Sequence, residues 1–399
     1  MIQIQEKISI SEQLRILERC QKDELILSDE LKKSGFTYDH LRYKDYNTQL
    51  PPENNYIPIE DFQQASKNIP AISFFSGAGG LDIGFEHAGF SNLASIEFNE
   101  LFCDTLRLNS PNKLIIGPPN YSGDIKNRDE LYKVLKNVIG NKPFEGVFHG
   151  GPPCQPFSIA SNQRFGKEDE NFKRKGFSDL DKGNLLNDYV WFIGEFKPKV
   201  FVIENVPGLL ELDKGEQLNN ALTYLKNKGY NITMPQIINT TNYGVPQKRL
   251  RLIVVGTLSK HNFEYPQINI KQTSCFEVFQ EPVYDQENHL TRDHAAKSVL
   301  RYMELGYGVR DQLGRVDRLN PYLPSKTVIA GGIKGGGRSH LHPYSPRTLS
   351  VRESARLQTF PDNYIFTGPV ARQFTQVGNA VPPVMGFKLA DEIYKQYYY

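Results

Sequence analysis

Cysteine is scarce in this chain: four in 399 residues, Cys20, Cys103, Cys154 and Cys275. They form no CxxC pair and no Cys/His spacing, which excludes a disulfide framework and a zinc site and leaves a free thiol available for chemistry. Long apolar runs are missing too, so no segment reaches the length that spans a bilayer. The opening residues, Met1-Ile2-Gln3-Ile4-Gln5-Glu6, lack a basic stretch followed by an apolar core, so no signal peptide and a cytoplasmic location are expected. Net charge is only +2; the molecule is no polycation, and any nucleic-acid footprint must be regional. Residues 291–349 hold ten Lys/Arg against four Asp/Glu, whereas residues 1–70 hold nine against twelve. Positive charge therefore gathers in the C-terminal third, either as a solvated face or as a surface for phosphates.

With 23% charged residues the composition is that of an ordinary globular protein, long enough for one large domain and a smaller one. Residues 1–68 predict a helical extension, with helices opening at Ser11 and Ser28 in capping position. The stretch from Leu27 to Leu41 faintly suggests a helix-turn-helix, to be weighed against a plain packing extension. Pro51-Pro52-Glu53-Asn54-Asn55 reads as a linker. From residue 69 short apolar runs (Ala71–Phe75, Leu93–Glu97, Gly146–His149, Val200–Ile203, Leu250–Val255) alternate with helical stretches. That is the pattern of βαβ units, an α/β fold with a parallel sheet covered by helices. Such sheets bind ligands at the carboxyl ends of their strands. Residues 257–325 break the pattern, rich in Tyr, Gln and Asn with scattered arginines. They predict a small domain inserted between residues 69–256 and 326–399 of the large one.

Chemistry concentrates at the ends of the predicted strands. Gly150-Gly151-Pro152-Pro153-Cys154-Gln155-Pro156-Phe157-Ser158 places a cysteine among prolines that fix φ, so the loop loses little entropy in holding the sulfur. About fifty residues on, Phe201-Val202-Ile203-Glu204-Asn205-Val206 ends a second strand in a carboxylate, and the two strand ends suggest one pocket. The first strand runs into Phe75-Ser76-Gly77-Ala78-Gly79-Gly80, whose glycines permit a sharp turn and close approach to a ligand. Alone, this loop would serve a dinucleotide equally well. The next strand ends in Glu97, suited to a ribose hydroxyl pair, with Phe98 placed to stack on an adenine. Asp124-Ile125 adds a turn with an acid suited to an exocyclic amine.

In this order the pieces resemble the cytosine-C5 DNA methyltransferase family, of the bacterial restriction–modification type, from Phe74 to about Lys395. Phe75 to Gly80 is similar to the family's S-adenosylmethionine loop, Pro152-Pro-Cys-Gln155 to its nucleophile motif and Glu204-Asn-Val206 to its acid motif. Gln247-Lys-Arg249-Leu-Arg251 fits QxRxR. Arg352-Glu-Ser-Ala-Arg356-Leu-Gln358 and Gln376-Val-Gly378-Asn379-Ala-Val-Pro-Pro383 fit the last two motifs. Three features depart from the pattern. Ser73 stands where many members carry Asp, Asp181-Lys182-Gly183-Asn184-Leu185-Leu186 lacks an expected arginine, and the polar loop 161–179 is unusually long.

The resemblance implies a Rossmann-like S-adenosylmethionine-dependent sheet with an inserted target-recognition domain, acting on double-stranded DNA. Cys154 would add to C6 of a flipped cytosine so that C5 attacks a sulfonium methyl. Glu204 would hold N3 and the N4 amine, and Arg251, with Arg249 as a further candidate, the O2 or a phosphate; Arg249 is equally readable as a loop-fixing salt bridge. Gln155 and Ser158 are expected substrate contacts. Asn379 is either a helix cap or, as the family's use of the segment favours, a cofactor contact. Arg310, Arg315 and Arg318 would read guanines or be ordinary surface arginines, and Arg338 lies in a glycine-rich loop approaching the DNA backbone. No metal is required. The implied setting is a monomer on DNA, nucleoid-associated in a bacterium, paired in function with a restriction endonuclease without a required complex. The alternatives are a tRNA cytosine-5 methyltransferase and a DNA-binding transcriptional regulator acting through residues 1–70.

Overall fold

The computed structural model describes residues 6–45, 56–140, 142–153, 185–268, 271–280, 283, 286–330 and 340–399. In chain order the elements are α1 (Ile10–Lys22), α2 (Leu27–Lys33), β1 (Ile69–Phe74), α3 (Gly80–His87), β2 (Phe90–Ile96), α4 (Glu100–Asn109), β3 (Leu114–Ile116), α5 (Arg128–Ile139) and β4 (Val147–Gly150). There follow α6 (Leu185–Phe196), β5 (Val200–Asn205), α7 (Glu216–Asn227), β6 (Asn231–Ile232), β7 (Gln236–Asn239), β8 (Leu250–Thr257), α8 (Ala296–Tyr302), β9 (Arg310–Asp311), β10 (Val316–Arg318), β11 (His340–Leu341), α9 (Val351–Leu357), α10 (Val370–Asn379) and α11 (Pro383–Tyr397).

The chain forms two compact units. The larger holds residues 58–243, 249–269 and 380–399. Its eight-stranded sheet runs β3-β2-β1-β4-β5-β8-β6, with β7 paired to β8. β1 to β5 are mutually parallel, whereas β8 lies antiparallel to β5. β4 and β5 are buried at every residue, as expected of strands covered on both faces. On one face Phe74, Phe148 and Phe201 pack with Leu135 of α5, Phe192 and Phe196 of α6 and Leu225 of α7. On the other, α3 meets α11 so closely that a Cβ on Gly84 would lie 2.5 Å from the backbone nitrogen of Phe387.

The smaller unit gathers residues 1–57, 244–248 and 270–379 around a three-stranded sheet, β11-β10-β9. Its boundaries differ from those read in the sequence: residues 326–379 belong with the smaller unit, and 380–399 alone rejoin the sheet. Long-range hydrogen bonds account for this, among them Gln247 Nε2 to Gln358 Oε1 at 2.8 Å and Lys248 N to Ser325 O at 2.8 Å. At the N-terminus Ser9, not Ser11, caps α1, accepting from Glu12 N at 3.2 Å. The helix-turn-helix reading is corrected. After α2 comes a single turn of 3-10 helix, Tyr38–His40, and Tyr38 is buried with its hydroxyl bonded to the backbone of His294.

Candidate active site

β1 delivers the glycine loop to the end of the sheet with Phe75, Gly77 and Gly79 all at positive φ, 53°, 57° and 76°. For the two glycines this conformation carries no Cβ penalty. Gly77 N donates to Glu97 Oε2 at 2.8 Å, and Asn99 N to Glu97 Oε1 at 2.7 Å. The segment after β3 closes on the same residue, since a Cβ on Gly123 would stand 2.1 Å from the Glu97 carbonyl oxygen. Gly123 leads into Asp124, whose carboxylate accepts from Lys126 N at 3.0 Å, and into Ile125, which is buried in the core. Ala78 is buried beneath the loop, and Gly80 admits no side chain, because its Cβ would meet Val381 O at 2.1 Å.

Thus Phe75, Gly77, Ala78, Gly79, Gly80, Glu97, Phe98, Asp124 and Ile125 converge at the carboxyl ends of β1 and β2. Burial pushes the Glu97 carboxyl above its ordinary range, against the backbone N–H groups that stabilise its charge. The backbone N–H groups of Gly77, Phe98 and Asn99 are directed at it, and lone-pair capacity remains for a hydroxyl donor. Beside it Phe98 is 66% exposed, a free aromatic face. This donor set fits an adenosyl group. Asn379 is exposed at the end of α10, in the smaller unit. The helix-cap alternative for it is excluded, because α11 is capped by Pro382 without a side-chain hydrogen bond.

Two strands over, β4 and β5 run in register, Gly150 opposite Ile203. Glu204 at the end of β5 is buried, and Arg251 on β8 reaches it with Nε 2.6 Å from Oε1. Burial pushes this carboxyl up, while Arg251 and then Arg249 oppose the shift; burial likewise pushes both guanidiniums down. A carboxyl raised in this way is suited to holding a proton against a base nitrogen. Arg249 is buried to 1% exposure.

Asn205 Nδ2 donates to Pro152 O at 2.9 Å and its Oδ1 accepts from Val206 N at 2.8 Å. The acid strand thereby holds the backbone two residues before Cys154. A Cβ on Gly151 would fall 2.5 Å from Glu204 Oε2, so any side chain there would have to displace the carboxylate. Cys154, Gln155, Ser158, residues 161–184 and Arg338 lie outside the described residues.

Sequence reasoning passed over the tether made by Asn205, although that residue stands inside the quoted acid motif. It also missed a buried polar cluster behind the glycine loop. Asp82 on α3 accepts from Ser73 Oγ and Ser95 Oγ, each at 2.6 Å, and Ser76 Oγ donates to Ser73 Oγ at 2.8 Å. Ser73 is thus bonded to a carboxylate arriving from the helix. His149 on β4 is fully buried, stacked on Phe85 with ring centroids 4.2 Å apart, and neither ring nitrogen has a hydrogen-bond partner among the described residues.

In the smaller unit Arg310 and Arg315 are exposed on the β9–β10 hairpin, with Arg310 Nη1 3.2 Å from Asp317. Arg318 corrects its reading as a base contact. It is 0% exposed and bonded to the Pro343 carbonyl at 2.9 Å and to Asp45 at 2.6 Å, which leaves no face for a base. Among the described residues no cluster of His, Cys, Asp or Glu is placed to hold a metal ion, and no helix is long and apolar enough to cross a membrane.

Comparison with known proteins agrees with this geometry. Residues 69–395 match the family described as C-5 cytosine-specific DNA methylase. The chain is 32% identical over 349 residues to the Type II methyltransferase M.PspPI of Psychrobacter sp. (strain TA137), covering 80% of this chain and 77% of that protein. To the Type II methyltransferase M.Eco47II of Escherichia coli it is 28% identical over 93% of this chain and 95% of the relative. Among solved structures, a DNA modification methyltransferase encoded within an E. coli prophage shares the fold with TM-score 0.63 and 23% identity, covering 82% of this chain and 99% of that one. The match runs from the first strand of the sheet almost to the end of α11 and takes in every strand end just described: the chain belongs to the C-5 cytosine-specific DNA methylase family and is a DNA (cytosine-5-)-methyltransferase.

Proposed function

We propose that this enzyme is the site-specific modification methyltransferase of a Type II restriction–modification system, working by covalent catalysis on a flipped cytosine. The observation that carries the reading is the pairing of β4 and β5. It sets the buried Glu204–Arg251 pair beside the Pro152–Pro153 backbone held by Asn205, and Cys154 follows Pro153 directly in the sequence. The Cys154 thiolate adds to C6, forming the S–C6 bond and moving the electron pair toward C5. Glu204 holds N3 and the N4 amine, and its proton at N3 stabilises the charge that addition creates. Arg251 orients Glu204 and supplies a donor for the cytosine O2, with Arg249 buried behind the pair. Loss of the C5 proton afterwards expels the sulfur.

Glu97, Phe98, Asp124 and the Phe75–Gly80 loop bind the adenosyl part of S-adenosylmethionine, with Asn379 as a further contact. When bound, that molecule supplies an electrophilic methyl group. Flipping costs a few kcal/mol, offset by phosphate contacts from basic residues including Arg338. Gln155 and Ser158 contact the flipped nucleotide, and residues 257–325 carry target recognition, with Arg310 and Arg315 as its exposed cations. The enzyme acts as a monomer on nucleoid DNA in the cytoplasm, and a cognate endonuclease shares its site without a required complex.

The test is enzymatic methyl sequencing of DNA from a methylation-free bacterial host expressing this chain or Cys154→Ala. A single modified cytosine motif that disappears in the variant is expected. Modification that persists in Cys154→Ala would discard the covalent mechanism. Absence of DNA methylation in both, with methylated tRNA, would redirect the substrate to RNA.

A further inference from the structure

The N-terminal segment lies before residue 69, where the family match begins, yet it is built into the smaller unit. α1 and α2 turn Ile16, Leu17, Leu27 and Leu31 onto Val299 and Met303 at α8. Beyond α2 the contacts become polar and directional. Asp39 takes Arg347, which also bonds Glu353 at 2.6 Å, and accepts from His289 at 3.0 Å. Tyr43 donates its hydroxyl to His342 O at 2.9 Å.

The centre of this arrangement is Arg318. Its guanidinium lies between two rings, 3.5 Å from the Tyr43 centroid and 4.2 Å from that of Tyr307, and its Nη1 binds Asp45. The same Nη1 donates to Leu305 O. Its backbone pairs with the chain entering β9: Gly308 N donates to Arg318 O at 2.9 Å, and Arg318 N to Val309 O at 3.0 Å. One residue thus ties residues 43–45 to the start of the β9–β10 hairpin. Beyond the tie stand Arg310, bonded to Asp317 and to Arg315 O, and the exposed Arg315 at φ 52°. A guanidinium taken wholly out of water is a costly way to stabilise a fold, since apolar residues of the same volume often do as well. What it supplies, with planar stacking and a fixed fork of donors, is orientation.

We propose that Tyr43, Asp45 and Arg318 are positioning residues for DNA sequence discrimination: the N-terminal segment sets the angle of the β9–β10 hairpin without touching DNA. This rests on the reading that residues 257–325 carry target recognition. The test compares Arg318→Met, Tyr43→Leu and Tyr43→Phe with the double variant Arg310→Ala/Arg315→Ala. Each full-length chain is expressed in the methylation-free host and its genome sequenced for 5-methylcytosine. The readout is the ratio of methylation at the wild-type motif to methylation at sites differing from it by one base pair. Purified proteins give the melting temperature and the KM for S-adenosylmethionine.

The expected result is a ratio lowered about tenfold in Arg318→Met and Tyr43→Leu, the scale of one lost base contact. The KM for S-adenosylmethionine should not move, and Tyr43→Phe, which keeps the ring over the guanidinium, should restore the ratio. An unchanged ratio in the first two variants, with only a lower melting temperature, would reduce the arrangement to packing and overturn the proposal. If those two leave the ratio unchanged while the hairpin double variant lowers it, the proposal fails and the recognition reading stands. If the double variant also leaves it unchanged, the recognition reading itself falls and takes the proposal with it.

Discussion

The two units hold themselves together by different means. In the sheet unit apolar area dominates, from Ile72 and Phe74 through Phe148 to Phe192, Phe196 and Phe201, and the paired charges of Glu204 and Arg251 sit at strand ends. In the smaller unit buried charge stands beside apolar clusters such as that of Leu17, Leu31 and Val299. α9, Val-Arg-Glu-Ser-Ala-Arg-Leu, is buried at all seven positions, and Arg318, Arg347 and Arg352 are among the largest fully buried side chains of the molecule. Apolar burial is non-directional and tolerant of small shifts, whereas buried ion pairs stabilise only when geometry is good and every partner is present. Loss of the Glu204–Arg251 pair should therefore cost function before fold, and loss of the buried Arg347 fold before function.

The sharpest check on the first half is Glu204→Gln. The amide still accepts from Arg251 but holds no acidic proton, so the methylation rate should fall about 10²- to 10⁴-fold with the melting temperature little changed, as read by methyl transfer from labelled cofactor and by calorimetry. Its counterpart is Arg347→Ala, which takes the guanidinium from the buried Glu353 and the half-buried Asp39. Burial alone would raise the Glu353 carboxyl, but Arg347 outweighs it and holds it at about 2. Urea titration should show a loss of about 3 to 5 kcal/mol; a loss under 1 kcal/mol would remove the contrast between the units.

A smaller effect tests the one buried imidazole of β4. Burial pushes His149 down to about 4, with Asp82 opposing weakly. The folded form thus takes up its proton at lower pH than the unfolded chain, whose histidine titrates near 6.5. Stability should be intact above 6.5 and be lost as pH falls from there toward 4, about 2 kcal/mol by pH 5. His149→Leu should remove that part of the slope in paired denaturation curves at pH 7 and pH 5. The smallest expected effect is Ser9→Ala. Loss of the α1 cap should cost about 1 kcal/mol, visible as a shift in urea midpoint with methyl transfer at saturating DNA unchanged.

Legibility in the sequence follows the same division. The five apolar runs each became a strand of one sheet, because a strand buried on both faces advertises itself without reference to anything distant. Periodicity carries no direction, so β8 reads no differently from its parallel neighbours, yet it pairs antiparallel with β5. Glu97 and Glu204 stand out in the sequence because an acid at the end of a buried strand is conspicuous. Asn205 does not, since an amide one residue on has no local signature of its grip on Pro152. Arg318 was misread for a physical reason: Asp45, which it binds, is 273 residues away in sequence, and nothing near Arg318 announces that two tyrosine rings will enclose it. The units' boundaries were hidden likewise, drawn by bonds such as that between Gln247 and Gln358.

The fit of Gly84 against Phe387 has a consequence for the order of events on the ribosome. α3 carries the glycine loop at its start, and the helix that covers it, α11, begins at Pro383. Close to three hundred residues must be polymerised between the two, which at ordinary rates takes roughly 15 to 60 s. Throughout that interval α3 and the glycine loop at its start lack the helix that packs on them, and the newborn strands must wait or be shielded. Contacts of such long sequence separation also form slowly once the chain is free. Methylating capacity should thus arrive late and all at once, after a lag in any coupled transcription–translation reaction that follows both full-length chain and methylated DNA.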